Sequence, residues 1–362
     1  MHYGIISFYR YCPIDNPHKI QEIIRQRCEE LHLLGRILIA TEGINGAVCG
    51  LTEEIEQFKH FVSQFPFLQG LGYRELESKE QSYHKLVVRV RREIVRFDAK
   101  VDLTKSGEYL TSRELDKWYD EKRDFVIVDA RNEYEYDVGH FKNAIKMPIN
   151  TFREFPSAVK ILEQYQDKKV VLYCTGGIRC EKASAYLKEQ GFPQVFHVQG
   201  GIIEYINKSS GKHWQGGLFV FDDRLVNETK TTITSCKICN DICNTYINCH
   251  NLDCDELVIM CADCQRKMNS TCSSECKDAP RQRRQMHKHT IVGTVENYFA
   301  KNKVAAIKLN CPLAMGQEIA FVGKTTVEFK QKITELRYDI NNIISVPVIQ
   351  KVRKNDVVVV CG

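Results

Sequence analysis

With 362 residues, 43% of them hydrophobic and 27% charged, the chain is long enough to bury several cores, and two to four domains are expected. Its formal charge of +5 is too small for a protein that grips nucleic acid over its whole surface, so phosphate contacts would have to come from local patches. The N-terminus lacks a signal peptide and no run approaches membrane-helix length, which predicts a cytosolic address and no membrane partner; sixteen cysteines in such a reducing compartment argue for metal or catalysis over disulfides.

Residues 1–97 read as one α+β unit. Tyr3–Tyr9 alternates as a strand does. Asn16 and Pro17 supply an N-cap and first-turn residue for a helix that places Ile20, Ile24, Cys28 and Leu31 on one face and stops at Gly35. Residues 36–40 and 47–49 are expected to pair as a hairpin around Glu42–Gly46. Thr52 starts a second helix with Ile55, Phe58, Phe61 and Phe65 inward, and Leu86–Val90 closes a β-α-β-β-α-β order, that of a ferredoxin-like sandwich. Its exposed face would carry Arg89, Arg91, Arg92 and Arg96, which read equally as phosphate contacts or as a solvated strand. Residues 98–122 form a polar linker with a short helix around Ser112–Asp120.

In the next unit, 123–218, a buried strand, Val126–Asp129, leads into Ala130 and Arg131, and the Asp129/Arg131 pair is expected to brace the later Cys174 loop by a salt bridge. Farther on, Cys174 ends a β-type run and opens the loop Cys174-Thr175-Gly176-Gly177-Ile178-Arg179, after which Cys180 begins a helical stretch. A thiol set in backbone N–H groups at a helix N-terminus is stabilised as its anion, the form that attacks, carries sulfane sulfur or is oxidised. Thiolate phosphatases place Arg six positions after the cysteine; here Arg179 is five on, and the smaller cradle suits a persulfide sulfur. Cys180 reads either as a resolving thiol or as a packed one. With Gly139-His140-Phe141, Asn143-Ala144 and Val195–Gly201, the segment from Asp124 to about Leu218 resembles the rhodanese domain, a parallel α/β fold whose loop would lie at a strand's carboxyl end.

A cysteine-rich module follows at 232–280. Cys236, Cys239, Cys243, Cys249, Cys254, Cys261, Cys264, Cys272 and Cys276 place nine thiols in 41 residues, enough for two four-thiolate zinc sites with one left over. Few large apolar residues lie there, so metal binding would supply much of the folding energy; an iron–sulfur cluster is the alternative. The basic linker 281–289 carries Arg281, Arg283, Arg284 and Lys288, expected phosphate contacts beside the metal module. Residues 290–362 show regularly spaced short strands and resemble the translation-factor-type β-barrel, one that occurs in proteins handling tRNA. The whole is thus expected to be a multi-domain α/β and α+β protein.

The order of the first three modules, with Glu42-Gly43-Ile44-Asn45-Gly46 in the first and Cys174–Lys182 in the second, resembles the rhodanese-like tRNA uridine hydroxylases over about 280 residues. That resemblance implies oxygen-dependent conversion of the wobble uridine of tRNA to 5-hydroxyuridine, with molecular oxygen as co-substrate, tRNA as partner and Cys174 essential. The thiolate would either add to C6 of uracil or carry a persulfide or oxidised sulfur, and Arg179 would bias the loop electrostatically and could hold a phosphate or oxyanion. Two other readings compete: a plain thiosulfate or persulfide sulfurtransferase, which would not need the flanking modules, and a non-catalytic RNA-binding scaffold, which would not need Cys174.

Overall fold

The computed structural model describes residues 3–78, 81–222, 225–227, 231–283, 290–309, 313–323, 326, 329–338 and 343–360. The chain forms two compact units, Met1–Gln282 and Arg283–Gly362. Among the described residues no helix is long and apolar enough to cross a membrane.

The first unit begins with strand β1 (Tyr3–Tyr11), helix α1 (Pro17–Glu30), strands β2 (Leu34–Ala40) and β3 (Gly43–Leu51), helix α2 (Thr52–Ser63) and strands β4 (Tyr73–Ser78) and β5 (Leu86–Val90). Asn16 caps α1 by accepting the Lys19 N–H at 3.0 Å. The sheet order is β4-β1-β3-β2-β5, antiparallel except where β5 runs parallel to β2. One face, with Ile6, Phe8, Ile37 and Val48, packs with Ile24, Phe58 and Val62 of the two helices. The sequence pattern differs from this in two places. β4 supplies the fourth ferredoxin-like position and Leu86–Val90 is a fifth strand, because Tyr-Arg-Glu-Leu-Glu-Ser at a sheet edge lacks the apolar alternation by which a strand is recognised. The expected Glu42–Gly46 loop shrinks to Thr41-Glu42, since β3 already starts at Gly43. Gly43 has φ 146°, and a Cβ there would sit 2.1 Å from the Arg10 carbonyl oxygen, so the ladder closes this tightly only over glycine.

A second sheet follows, built from β6 (Glu108–Leu110), β7 (Phe125–Asp129), β9 (Ile145–Lys146), β10 (Lys169–Tyr173) and β11 (Val195–Val198), in the order β6-β11-β10-β7-β9 and parallel throughout. Helices α3 (Ser112–Asp120), α4 (Glu133–Val138), α5 (Phe155–Ala158), α6 (Ile178–Glu189) and α7 (Gly201–Lys208) cover it, and β8 (Gly139–Phe141) pairs with β12 (Trp214–Gly216). The stretch read as a linker, 98–122, is therefore partly built into this sheet. β6 forms its edge, and Leu115 and Trp118 of α3 enter the core, an outcome their spacing alone does not distinguish from a free amphipathic helix. The cysteine-rich segment holds one small hairpin, Tyr246–Asn248 with Leu257–Ile259, and its interior consists largely of sulfur atoms.

The second unit is a curled seven-stranded antiparallel sheet, a half-barrel, with spatial order Phe329–Lys332, Glu318–Val322, Val357–Val360, Thr290–Phe299, Val304–Leu309, Ile343–Pro347, Arg337–Tyr338. Among the described residues its two edge strands do not pair with each other. Val295, Ile307, Phe321, Ile344 and Val358 fill the concave side.

Candidate active site and metal centres

β10 is a central strand, and the chain leaves its carboxyl end at Cys174, with α6 starting four residues later. Gly177 caps that helix at φ 100°, a conformation costly for any side chain, and its N–H donates to Cys174 Sγ at 3.1 Å. From behind, the first turn of α7 holds the loop: the Ile202 and Ile203 N–H groups donate to the carbonyls of Cys174 (3.0 Å) and Thr175 (3.2 Å).

Cys174 is 1% exposed, and burial by itself would push its thiol up. A hydrogen bond from Cys180, the Arg179 charge and the Arg179 and Gly177 N–H groups outweigh burial and bring it down from 9.0 to about 6. About nine-tenths of such a thiol is ionised at neutral pH. Burial and the neighbouring Cys174 push Cys180 the other way, so it stays protonated and donates. The pair is a thiolate accepting from a thiol.

Arg179 is 7% exposed and is not free to bind an oxyanion. Its Nη1 and Nη2 donate to the two carboxylate oxygens of Glu135 at 2.6 and 2.8 Å, and Thr175 Oγ1 bridges both partners at 3.2 and 3.3 Å. Despite complete burial, Glu135 is held below the usual carboxylate range by Arg179. The guanidinium therefore acts on the sulfur through its charge. Glu135 is the site residue that sequence reading missed; its only signal is a position three after Asn132, whose N–H it accepts at 3.1 Å as a capping carboxylate. Asp129 and Arg131 do form a fully buried ion pair, at 2.6 Å, but Arg131 also donates to the Gly139 carbonyl at 2.7 Å and so braces the entry to β8, not the thiol loop.

Beyond the loop the helix is held from both domains, by Tyr9, Glu42, Glu93 and Val95 of the first and by Ser106 and Tyr109 of its own. Glu181 accepts from the hydroxyls of Tyr9 (2.9 Å), Tyr109 (2.7 Å) and Ser106 (2.9 Å). Lys182, 2% exposed, donates to Glu42 (3.0 Å), Glu93 (3.1 Å) and the Val95 carbonyl (3.1 Å). A cleft of about 620 Å³ opens along this seam, with Cys174, Thr175 and Gly176 on one side and Tyr9, Asn45 and Arg74 on the other. That is the size of a site for a nucleoside-scale ligand.

Eight of the nine clustered thiols gather into two groups: Cys236, Cys239, Cys261 and Cys264, and Cys249, Cys254, Cys272 and Cys276, each with its sulfurs within 4.8 Å of one another. The groups interleave along the chain, and Cys243 and His250 belong to neither. Four thiolates so disposed can hold a metal ion. Of the basic residues that follow, Arg281 is paired with Asp253 and Arg283 is half-buried, while Arg284 and Lys288 lie outside the described residues.

Three family models match: a UPF0176 acylphosphatase-like domain over residues 3–94, a rhodanese-like domain over 111–208 and a rhodanase C-terminal family over 215–277. Among curated proteins, the chain is similar to the tRNA uridine(34) hydroxylase of Cytophaga hutchinsonii, with 40% identity over 287 residues, covering 78% of this chain and 92% of that one. The protein of that name from Hamiltonella defensa is 41% identical, covering 75% and 80% of the two chains. That of Chlamydia trachomatis serovar D is 36% identical, covering 77% and 88%.

Proposed function

The chain belongs to the tRNA uridine(34) hydroxylase family, and from that premise we propose that Cys174 is the nucleophile with which it hydroxylates the wobble uridine of tRNA to 5-hydroxyuridine. The observation that carries the assignment is a thiolate held ionised at neutral pH on the floor of a nucleoside-sized cleft. In this reading the sulfur adds to C6 of uracil. The C6–S bond forms as the C5=C6 electron pair moves into a C5–C4–O4 enolate, and C5 becomes the electron-rich carbon. Dioxygen supplies the oxygen atom at C5; its second atom leaves as water, taking two protons and two electrons from a thiol reductant that ends as a disulfide. Loss of the C5 proton and expulsion of the thiolate restore C5=C6. Arg179 keeps the sulfur anionic before attack and favours it as the leaving group.

Zinc is the metal we propose for the two cysteine quartets. Sulfurs 2.3 Å from a tetrahedral zinc stand about 3.8 Å apart. Sγ–Sγ separations of 3.6 Å for Cys239–Cys261, 3.7 Å for Cys254–Cys272 and 3.6 Å for Cys272–Cys276 support that geometry. The zinc role is structural, because every ligand position is a protein thiolate. Arg281, Arg283, Arg284 and Lys288 are proposed as peripheral phosphate contacts for tRNA.

The decisive experiment complements a strain lacking this enzyme with Cys174→Ser and measures 5-hydroxyuridine at the wobble position by mass spectrometry. The serine hydroxyl stays protonated at neutral pH, so the nucleoside should be absent although the protein folds. Normal modification by a folded Cys174→Ser protein would remove the loop from the mechanism.

A further inference from the structure

The first domain's second sheet face, turned away from its helices, has a pattern that the catalytic loop does not explain. Register places Arg74, Ser7, Ala47 and Arg36 in one row across β4, β1, β3 and β2: Ser7 is opposite both Arg74 and Ala47, and Ala47 is opposite Arg36. All four line the cleft that holds Cys174. Two small residues therefore form the middle of this wall and two arginines its ends, three strand spacings or about 14 Å apart. Arg36 is exposed and has no ion pair among the described residues. Arg74 lies with its guanidinium carbon 4.6 Å from the centre of the Tyr9 ring, and the Tyr9 hydroxyl is bound to Glu181 just past the loop.

The basic track continues outside the cleft. Arg96 lines both the cleft and an adjoining depression of about 580 Å³ that also contains Arg91, Arg92 and Lys100. The two acidic residues there are committed, Glu93 to Lys182 and Asp98 to Arg96, while Arg91, Arg92 and Lys100 have no ion pair among the described residues. A buried thiolate needs one neutralising charge and already has Arg179. The remaining cations, lined up along a groove with aromatic and small side chains between them, have the chemistry of a single-stranded nucleic-acid track.

We propose that Arg36 and Arg74 hold the phosphodiester backbone on either side of the nucleotide that enters the cleft, and that the strand continues past the Arg96–Asp98 pair to Arg91, Arg92 and Lys100. The first domain is then the RNA-binding half of the active site. The inference rests on the hydroxylase reading for the identity of the strand, an anticodon loop, but its test does not depend on turnover.

The test measures binding of a fluorescent anticodon stem-loop RNA to the full chain between 50 and 300 mM KCl. On a single strand, each phosphate that is no longer neutralised reduces the slope of log affinity against log salt by about 0.7, so Arg36→Gln with Arg74→Gln should flatten it by about 1.4 and weaken low-salt binding. Arg74→Lys should keep the slope. In turnover the double variant should raise KM for tRNA with kcat retained, at an unchanged thermal midpoint. Arg113→Gln with Lys117→Gln, two charges on α3 that do not line the cleft, should leave slope and activity alone. A wild-type slope in the Arg36/Arg74 double variant, or an equal loss in the α3 control, overturns the proposal. Absence of uridine hydroxylation by the wild-type chain, with the slope difference intact, overturns the hydroxylase reading instead.

Discussion

The buried Arg179–Glu135 pair has two separable jobs, and substituting its members in turn should pull them apart. Lowering a thiol from 9.0 to about 6 corresponds to a net preference of about 4 kcal/mol for the anion, left after Cys180, the Arg179 charge and two N–H groups have overcome the opposing cost of burial. Arg179→Met removes the charge and leaves Glu135 fully buried without its ion-pair partner, a change that should cost about 3–5 kcal/mol of stability. Arg179→Met with Glu135→Leu replaces both charges by apolar groups and should restore part of that loss; the Thr175 hydroxyl, left without either partner, and the Asn132 N–H, left without its capping carboxylate, keep back about 1 kcal/mol each. Stability and thiol ionisation then diverge. Urea unfolding should find the double variant more stable than Arg179→Met and about 2 kcal/mol below wild type, whereas alkylation of Cys174, followed peptide by peptide by mass spectrometry across pH 4 to 10, should show its midpoint moving up from about 6 in both variants. If the folded double variant still titrates near 6, the backbone and Cys180 hold the anion unaided and Arg179 has no part in activation.

Gly177→Ala forces a side chain into a left-handed conformation and sets its Cβ 2.8 Å from the Tyr9 hydroxyl; it should lower stability by about 1–2 kcal/mol in thermal unfolding. Elemental analysis should find two zinc equivalents, retained in Cys243→Ser and reduced in Cys264→Ser, because Cys243 stands outside both quartets. Equal loss from both variants would mean that the quartets are misassigned.

What the sequence made legible was mostly local. Asn16-Pro17 as a helix start, Ser112–Asp120 as a helix and the thiol loop at a strand end each depend on neighbours within a few positions, where capping, φ preferences and spacing act directly. Longer links were not legible. Glu135 reaches Arg179 across 44 positions and Tyr9 reaches Glu181 across 172, and neither carboxylate carries a local mark of its partner. The cysteine count allowed two sites and a spare, but spacing alone does not say that the first pair closes with the third and the second with the fourth. β4 escaped because this edge strand, Tyr-Arg-Glu-Leu-Glu-Ser, has no fully buried residue and no apolar rhythm to detect.

The grip of the first domain on Glu181 and Lys182 limits how these modules can be recombined. Both side chains sit in the helix that follows the thiol loop, and both spend their charge on residues delivered wholly or partly from outside the parallel sheet. A gene fragment encoding that sheet alone would expose a lysine and a glutamate shaped for burial and lose the tyrosine seated over Gly177. Transplanting the loop into a free-standing homologue would carry the nucleophile without its wall. Inheritance of the two domains as one block follows from this seam, and a chimaera that divides them between parents would have to carry Tyr9, Glu42 and Glu93 along with the cysteine.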